Sequence, residues 1–116
     1  MNKKHYLFTF LSGISLIILP HLLPAQTVEQ YEIFELTLKG PEAGNPFTDV
    51  TLNAAFKFKN RILKPEGFYD GNGVYKIRFM PDAVGEWSYI IYSNVKELNG
   101  KTGNLTCSPA QQSNHG

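Results

Sequence analysis

The chain has a single cysteine, Cys107, so it cannot close an internal disulfide. It is also short of metal ligands. Of its three histidines, His5 and His21 lie at either end of an N-terminal apolar region, which leaves His115 in a polar tail. One cysteine and one such histidine cannot build a four-ligand zinc site. A nucleophilic thiol needs a histidine or a helix N-terminus beside it. Cys107 has neither in sequence and reads as a small buried strand residue. There is no excess of either charge, with 11 Lys and Arg against 10 Asp and Glu. Nucleic acid and anionic membranes would find no basic field to bind. Helical periodicity is absent after Leu23, which removes every fold that covers a sheet with helices.

There is one long hydrophobic run, at the N-terminus. Lys3 and Lys4 precede an apolar stretch from Tyr6 to Leu23, followed by Pro24 and the small residue Ala25. This order reads as a secretory signal cleaved after Ala25, so residues 1–25 are assigned to it. About 18 apolar residues are also enough to span a bilayer. Pro20, Pro24, Ser12, Gly13, Ser15 and His21 interrupt the run, however, and no basic stop-transfer cluster follows it. A lipid anchor would need a cysteine next to the cut. The expected product is a soluble secreted chain, periplasmic or extracellular, of about 90 residues, the size of one small domain.

That remainder is a series of short alternating segments. Residues 31–39 carry Phe34, Leu36 and Leu38 on one face, with a change of parity near Ile33 that suggests a bulge. Residues 40–46 form a loop. Val50, Leu52, Ala54, Phe56 and Phe58 then alternate with polar residues, as on a sheet with one buried face. Residues 62–67, interrupted by Pro65, suggest an irregular edge strand. Asp70-Gly71-Asn72-Gly73 is a tight turn leading into residues 74–80, and Trp87, Tyr89 and Ile91 repeat the inward parity in a strand expected to pair with that one. A last strand covers residues 103–108. Six or so strands at this spacing predict an all-β fold, an antiparallel β-sandwich over residues 26–110. Its expected core is Phe34, Leu36, Leu38, Leu52, Ala54, Phe56, Tyr75, Ile77, Phe79, Trp87, Tyr89, Ile91 and Leu105. Residues 111–116 form a linker.

Catalytic chemistry is poorly supplied. Two carboxylates suffice to hydrolyse a glycosidic bond, but the acidic residues lie mostly at turns and on polar faces, where solvation explains them. The Asp70-Gly71-Asn72-Gly73 segment lacks the remaining ligands of a calcium loop. No metal or other cofactor is implied. Contact residues are sought instead among outward aromatics and their neighbours, because flat rings stack on sugars. Tyr69 and Asp70 at the turn, and the outward set Val74, Ile90 and Tyr92, are the candidates for a glycan or partner surface.

Several segments together resemble a known family: Glu32-Ile33-Phe34-Glu35-Leu36; Gly40-Pro41 with Gly44-Asn45-Pro46-Phe47; Gly67-Phe68-Tyr69-Asp70-Gly71 with Gly73-Val74-Tyr75; Arg78-Phe79-Met80-Pro81 leading to Gly85-Glu86-Trp87; and Gly100-Lys101-Thr102-Gly103 before Asn114-His115-Gly116. The chain is similar to the immunoglobulin-like N-terminal domain, of uncharacterised function, that precedes apiosidase-like (β/α)8-barrel glycoside hydrolases in secreted bacterial proteins. The resemblance implies an immunoglobulin-like fold and a non-catalytic accessory role. Catalytic carboxylates would belong to the barrel, reached through Asn114, His115 and Gly116. The expected partners are that barrel in cis and polysaccharide. A free-standing carbohydrate-binding module using Tyr69, or a cell-surface adhesion domain, are the alternatives.

Overall fold

A computed structural model describes residues 21–111 of the chain. Most of the expected signal segment and the tail residues Asn114, His115 and Gly116 lie outside the described residues. Among the described residues eight strands and one helical turn follow in order: β1 (Gln26–Glu29), β2 (Phe34–Lys39), α1 (Pro46–Asp49), β3 (Leu52–Phe58), β4 (Arg61–Leu63), β5 (Gly67–Gly71), β6 (Val74–Phe79), β7 (Gly85–Ser93) and β8 (Thr102–Ser108). They form a five-stranded sheet in the order β1-β8-β7-β3-β4 and a three-stranded sheet in the order β2-β6-β5. The fold is all-β, as the alternation implies. β1 runs parallel to β8, so the larger sheet is mixed rather than purely antiparallel.

The two sheets pack face to face through aromatic side chains. Phe56 of β3 stacks on Phe79 of β6 with ring centroids 4.0 Å apart. Phe34 of β2 meets Tyr89 of β7 at 6.1 Å, and Phe79 meets Trp87 edge-on at 5.0 Å. Every residue expected in the core is buried, and Leu98 and Cys107 join them. Leu98 comes from the β7–β8 connection, where its N–H and that of Asn99 both donate to Val95 O, a one-turn bend that turns the leucine inward. Cys107 pairs with Gly85 across the sheet and faces the core, and burial pushes its thiol pKa up, opposite to what a nucleophile needs. Trp87 is buried to 1% exposure, and its indole N–H donates to Ala83 O at 2.9 Å.

Five expectations require correction. The strands at 74–80 and 86–93 do not pair with each other: β6 lies between β2 and β5, whereas β7 lies between β3 and β8. Residues 81–84 carry the chain from one sheet to the other, with Arg61 clamping Asp82 through two 2.9 Å hydrogen bonds. The parity change near Ile33 is not a bulge but a turn, with Tyr31 at φ 72° and β2 starting only at Phe34. Before that turn lies an unexpected strand, β1, whose sequence has too little alternation to announce itself. Residues 62–67 are not one edge strand but parts of two, β4 on the larger sheet and β5 on the smaller. Pro65 lies between them, its carbonyl accepting Ala54 N–H at 3.1 Å. Finally, Pro46 opens a helical turn, where Asp49 Oδ2 accepts Asn45 N–H at 3.1 Å. Four residues are too few to show a period.

The Asn72-Gly73 connection between β5 and β6 behaves as read. Both residues have positive φ, 53° and 75°, as a two-residue hairpin turn requires. Gly103 is constrained differently: a Cβ there would come within 2.3 Å of the Tyr89 hydroxyl oxygen. That hydroxyl is buried without a hydrogen-bond partner among the described residues, and burial raises its pKa. A buried hydroxyl with no partner costs free energy that a phenyl ring does not. Tyr89→Phe is therefore expected to leave stability unchanged or raise it by about 1 kcal/mol, whereas Gly103→Ala should lower it by about 1–3 kcal/mol through overpacking. Urea denaturation of the two variants checks both signs. A substantial loss in Tyr89→Phe would mean that the hydroxyl has a partner the described residues do not supply.

Candidate functional site

The two outer faces of the molecule differ in how their polar groups are used. On the three-stranded sheet, register places Glu35 opposite Arg78. Arg78 Nε donates to Glu35 Oε2 at 2.7 Å, Lys76 Nζ lies 3.2 Å from Glu35 and 3.5 Å from Asp70, and the Arg78 guanidinium sits 5.0 Å from the centre of the Phe68 ring. Four charges on this face, Glu35, Lys76, Arg78 and Asp70, are paired with one another, while Lys39, also outward on β2, stands exposed. The hydrogen bonds from Arg78 and then Lys76 hold the Glu35 carboxyl below its ordinary range.

On the outer face of the five-stranded sheet the Thr106 hydroxyl donates to Glu86 Oε2 at 2.8 Å, but most of the face is the reverse. Alternation and register bring Ala55 and Lys57 of β3, Ile62 of β4, Ser88, Ile90 and Tyr92 of β7, and Thr102 and Asn104 of β8 onto one surface. Ala55 pairs with Ile90, Lys57 with Ser88 and Ile62, Ser88 with Asn104, and Ile90 with Thr102. Together they line a shallow depression of about 410 Å³. Tyr92 is 48% exposed and Ile62 55%. Among the described residues, the side chains of Lys57, Ser88, Thr102 and Asn104 have no hydrogen-bond or ion-pair partner, and no carboxylate lines the depression. Leu22 closes one end, held there because Thr102 N–H donates to His21 O at 2.9 Å and Leu23 N–H donates to Thr102 O at 2.8 Å. Leu22 lies upstream of the cleavage expected after Ala25.

The contact residues anticipated from sequence fall in two places. Ile90 and Tyr92 lie in the depression. Tyr69 and Asp70 lie on β5 of the other sheet, and Val74 on β6, so the three outward residues Val74, Ile90 and Tyr92 do not form one patch. Tyr69 is half-buried rather than free: its ring lies between Phe47 at 4.9 Å and Tyr75 at 4.8 Å, and its hydroxyl accepts Gly73 N–H at 3.0 Å. The exposed aromatic of that corner is Phe47, at 70%. Asp70 is exposed and paired with Lys76. Sequence reasoning did not select Lys57, Ile62 and Asn104. Their outward parity was legible, but their proximity to Ile90 depends on strand neighbours that alternation does not reveal. No group of three or more His, Cys, Asp or Glu able to hold a metal occurs among the described residues.

Comparison with known proteins places these features. The family model of a domain of unknown function, DUF5060, matches residues 27–94. No curated protein matches the chain. Among solved structures, the chain is similar to a protein of Bacteroides vulgatus ATCC 8482 proposed to be a glycoside hydrolase, with 42% identity and a TM-score of 0.74 over 80% of this chain. The chain spans only 18% of that protein's length.

The paired carboxylates make stability depend on acid. Glu35 and Asp82 are both held below the ordinary carboxylate range, Asp82 first by its hydrogen bonds to Arg61. The folded chain therefore keeps them ionised to lower pH than the unfolded chain does. Their contribution is present above the ordinary carboxylate range and is lost as pH falls through the lowered values. Melting temperature should decline below about pH 4, and Glu35→Gln should flatten part of that decline while lowering stability near neutrality. An unchanged acid slope in the variant would show that Glu35 contributes nothing to it.

Proposed function

We propose that this chain, which belongs to the DUF5060 family of domains, is a non-catalytic accessory domain of a secreted bacterial glycoside hydrolase, supporting the catalytic barrel or its hold on polysaccharide. The observation that carries this reading is the solved relative: a protein proposed to be a glycoside hydrolase, 42% identical over the shared region, in which the region corresponding to this chain is a small fraction of the whole. The site agrees with an accessory role. Its polar groups are a lysine, hydroxyls and an amide spread over an open sheet face, with no facing pair of carboxylates to cleave a glycosidic bond.

An immunoglobulin-like assignment is supported by the strand layout. β2, β6 and β5 pair in the order of strands B, E and D, and β8, β7, β3 and β4 in the order of G, F, C and C′. The first strand, β1, lies parallel beside β8 instead of joining β2 as strand A joins B in the constant-type sheet. The Trp87 indole N–H bonded to the carbonyl of Ala83, four residues upstream, is a brace of the same kind as the tyrosine corner at the start of strand F. Tyr89, two residues on, then takes the place of the second cysteine of antibody domains. Packing of Tyr89 against Phe34 of β2 joins the sheets where those domains use a disulfide. Export through a signal ending at Ala25 completes the reading.

The test is to express the full chain in a bacterium and purify it from the exported fraction. Its mass should correspond to a chain starting at Gln26, and it should give no turnover on a panel of plant and microbial glycans. Retention of residues 1–25 would sink the secreted part of the proposal. Hydrolysis that a single Glu→Gln substitution in the chain abolishes would sink the non-catalytic part.

A further inference from the structure

We infer that the outer face of the five-stranded sheet is a binding site for an acidic polysaccharide strand, with sugar rings packed on Tyr92, Ile90 and Ile62 and a carboxylate of the glycan paired with Lys57. The inference rests on the accessory reading above and names the ligand class that the domain would hold.

Four observations carry it. The depression, at about 410 Å³, falls within the range of small-molecule sites, and its lining is mainly apolar with a few polar groups. Its polar side chains are unpaired: Ser88, Asn104 and Lys57 point outward with no partner among the described residues, while Glu35, Lys76, Arg78 and Asp70 of the opposite face are bound to one another. An apolar platform edged by unpaired hydroxyl and amide groups suits a sugar, which presents apolar ring faces and a polar rim. A dry protein interface would leave those same groups without partners. Lys57 supplies the charge complementarity, as the only ionisable side chain of the lining apart from the buried Tyr89 and the exposed Tyr92. The ligand that completes this surface carries a negative charge, and a uronate ring offers both the carboxylate and the apolar face. The depression is shallow. Leu22 lines one end of it, and processing after Ala25 would remove that wall and open the depression beside Thr102.

The test uses the exported, processed chain, titrated calorimetrically with oligogalacturonate and with cello-oligosaccharide as the neutral control. The expected result is binding of oligogalacturonate at about 1 mM or tighter, weakened by 0.5 M salt because the pair at Lys57 is exposed to solvent, and weaker binding of the neutral control. Tyr92→Ala should cost about tenfold. Lys57→Gln should cost about threefold and remove most of the salt dependence. Both positions are exposed, so both variants should retain the parent's cooperative melt, which is measured alongside. Absence of heat with oligogalacturonate overturns the inference. So does equal binding of the neutral control that Lys57→Gln leaves unchanged, or a dimer in sedimentation that Tyr92→Ala dissociates. Failure here combined with no turnover in the hydrolysis screen removes the glycan site and leaves the accessory role standing, whereas turnover in that screen removes the accessory role whatever the titrations give.

Discussion

Phe56 stacked on Phe79 is the contact on which the rest of the molecule depends. The two rings come from different sheets and lie nearly parallel at 4.0 Å, at the centre of a cluster that includes Phe34, Tyr89 and Trp87. A sandwich this small has no disulfide to hold its layers, because its only cysteine is single and buried. Dispersion and hydrophobic burial across the layers must do that alone, and large flat side chains bury the most area per residue. The composition follows from this demand. Aromatics fall at inward positions of β2, β3, β6 and β7, and a glycine, Gly103, stands where Tyr89 needs room. The unpaired Tyr89 hydroxyl is the cost of filling that space with tyrosine.

Once the core is closed in this way, each sheet is left with one wet face, and the two faces are treated differently. The smaller sheet spends its charges internally, through Glu35, Arg78, Lys76 and Asp70. Exposed pairs of this kind add little stability individually, but they leave few unpaired groups available to a ligand. Around its depression the larger sheet carries hydroxyls, an amide and one lysine that have no partner among the described residues, set about apolar side chains; further along the same face the Thr106 hydroxyl is bonded to Glu86. The contrast, rather than the size of the depression, singles out that face.

Much of this was legible in the sequence. Period-two alternation reports which side of a strand is wet, so the inward strand residues from Phe34 to Leu105 and the outward placement of Ile90 and Tyr92 followed from parity alone, whereas Leu98, from a bend, did not. Parity does not name a strand's neighbour. Residues 74–80 and 85–93 face the same core from opposite sheets, and an inward pattern looks the same from either side. The adjacency of Lys57, Ile62 and Asn104 to Ile90 was hidden for the same reason, since it depends on β4 and β8 flanking β3 and β7. Tyr69 is less exposed than its place beside the turn suggests because of a long-range contact: Phe47, from a turn more than twenty residues earlier in the chain, packs against a ring that local sequence leaves open. β1 was invisible because Gln26–Glu29 contributes backbone pairing with β8 and little apolar surface.

The direction of β8 bears on how one small domain would serve both a catalytic partner and a polysaccharide. The strand enters the larger sheet at Thr102, beside Ile90, and runs out at Ser108, where it pairs with Glu29. The depression lies along its first half, around Thr102 and Asn104, whereas Gln111 N–H is already bonded to Glu29 Oε1 beyond its end. A domain joined after β8 would attach at the end where residues 81–84 cross between the sheets, several residues away from the apolar platform. Holding the partner at one end of the sandwich and a glycan along its side are then geometrically compatible tasks.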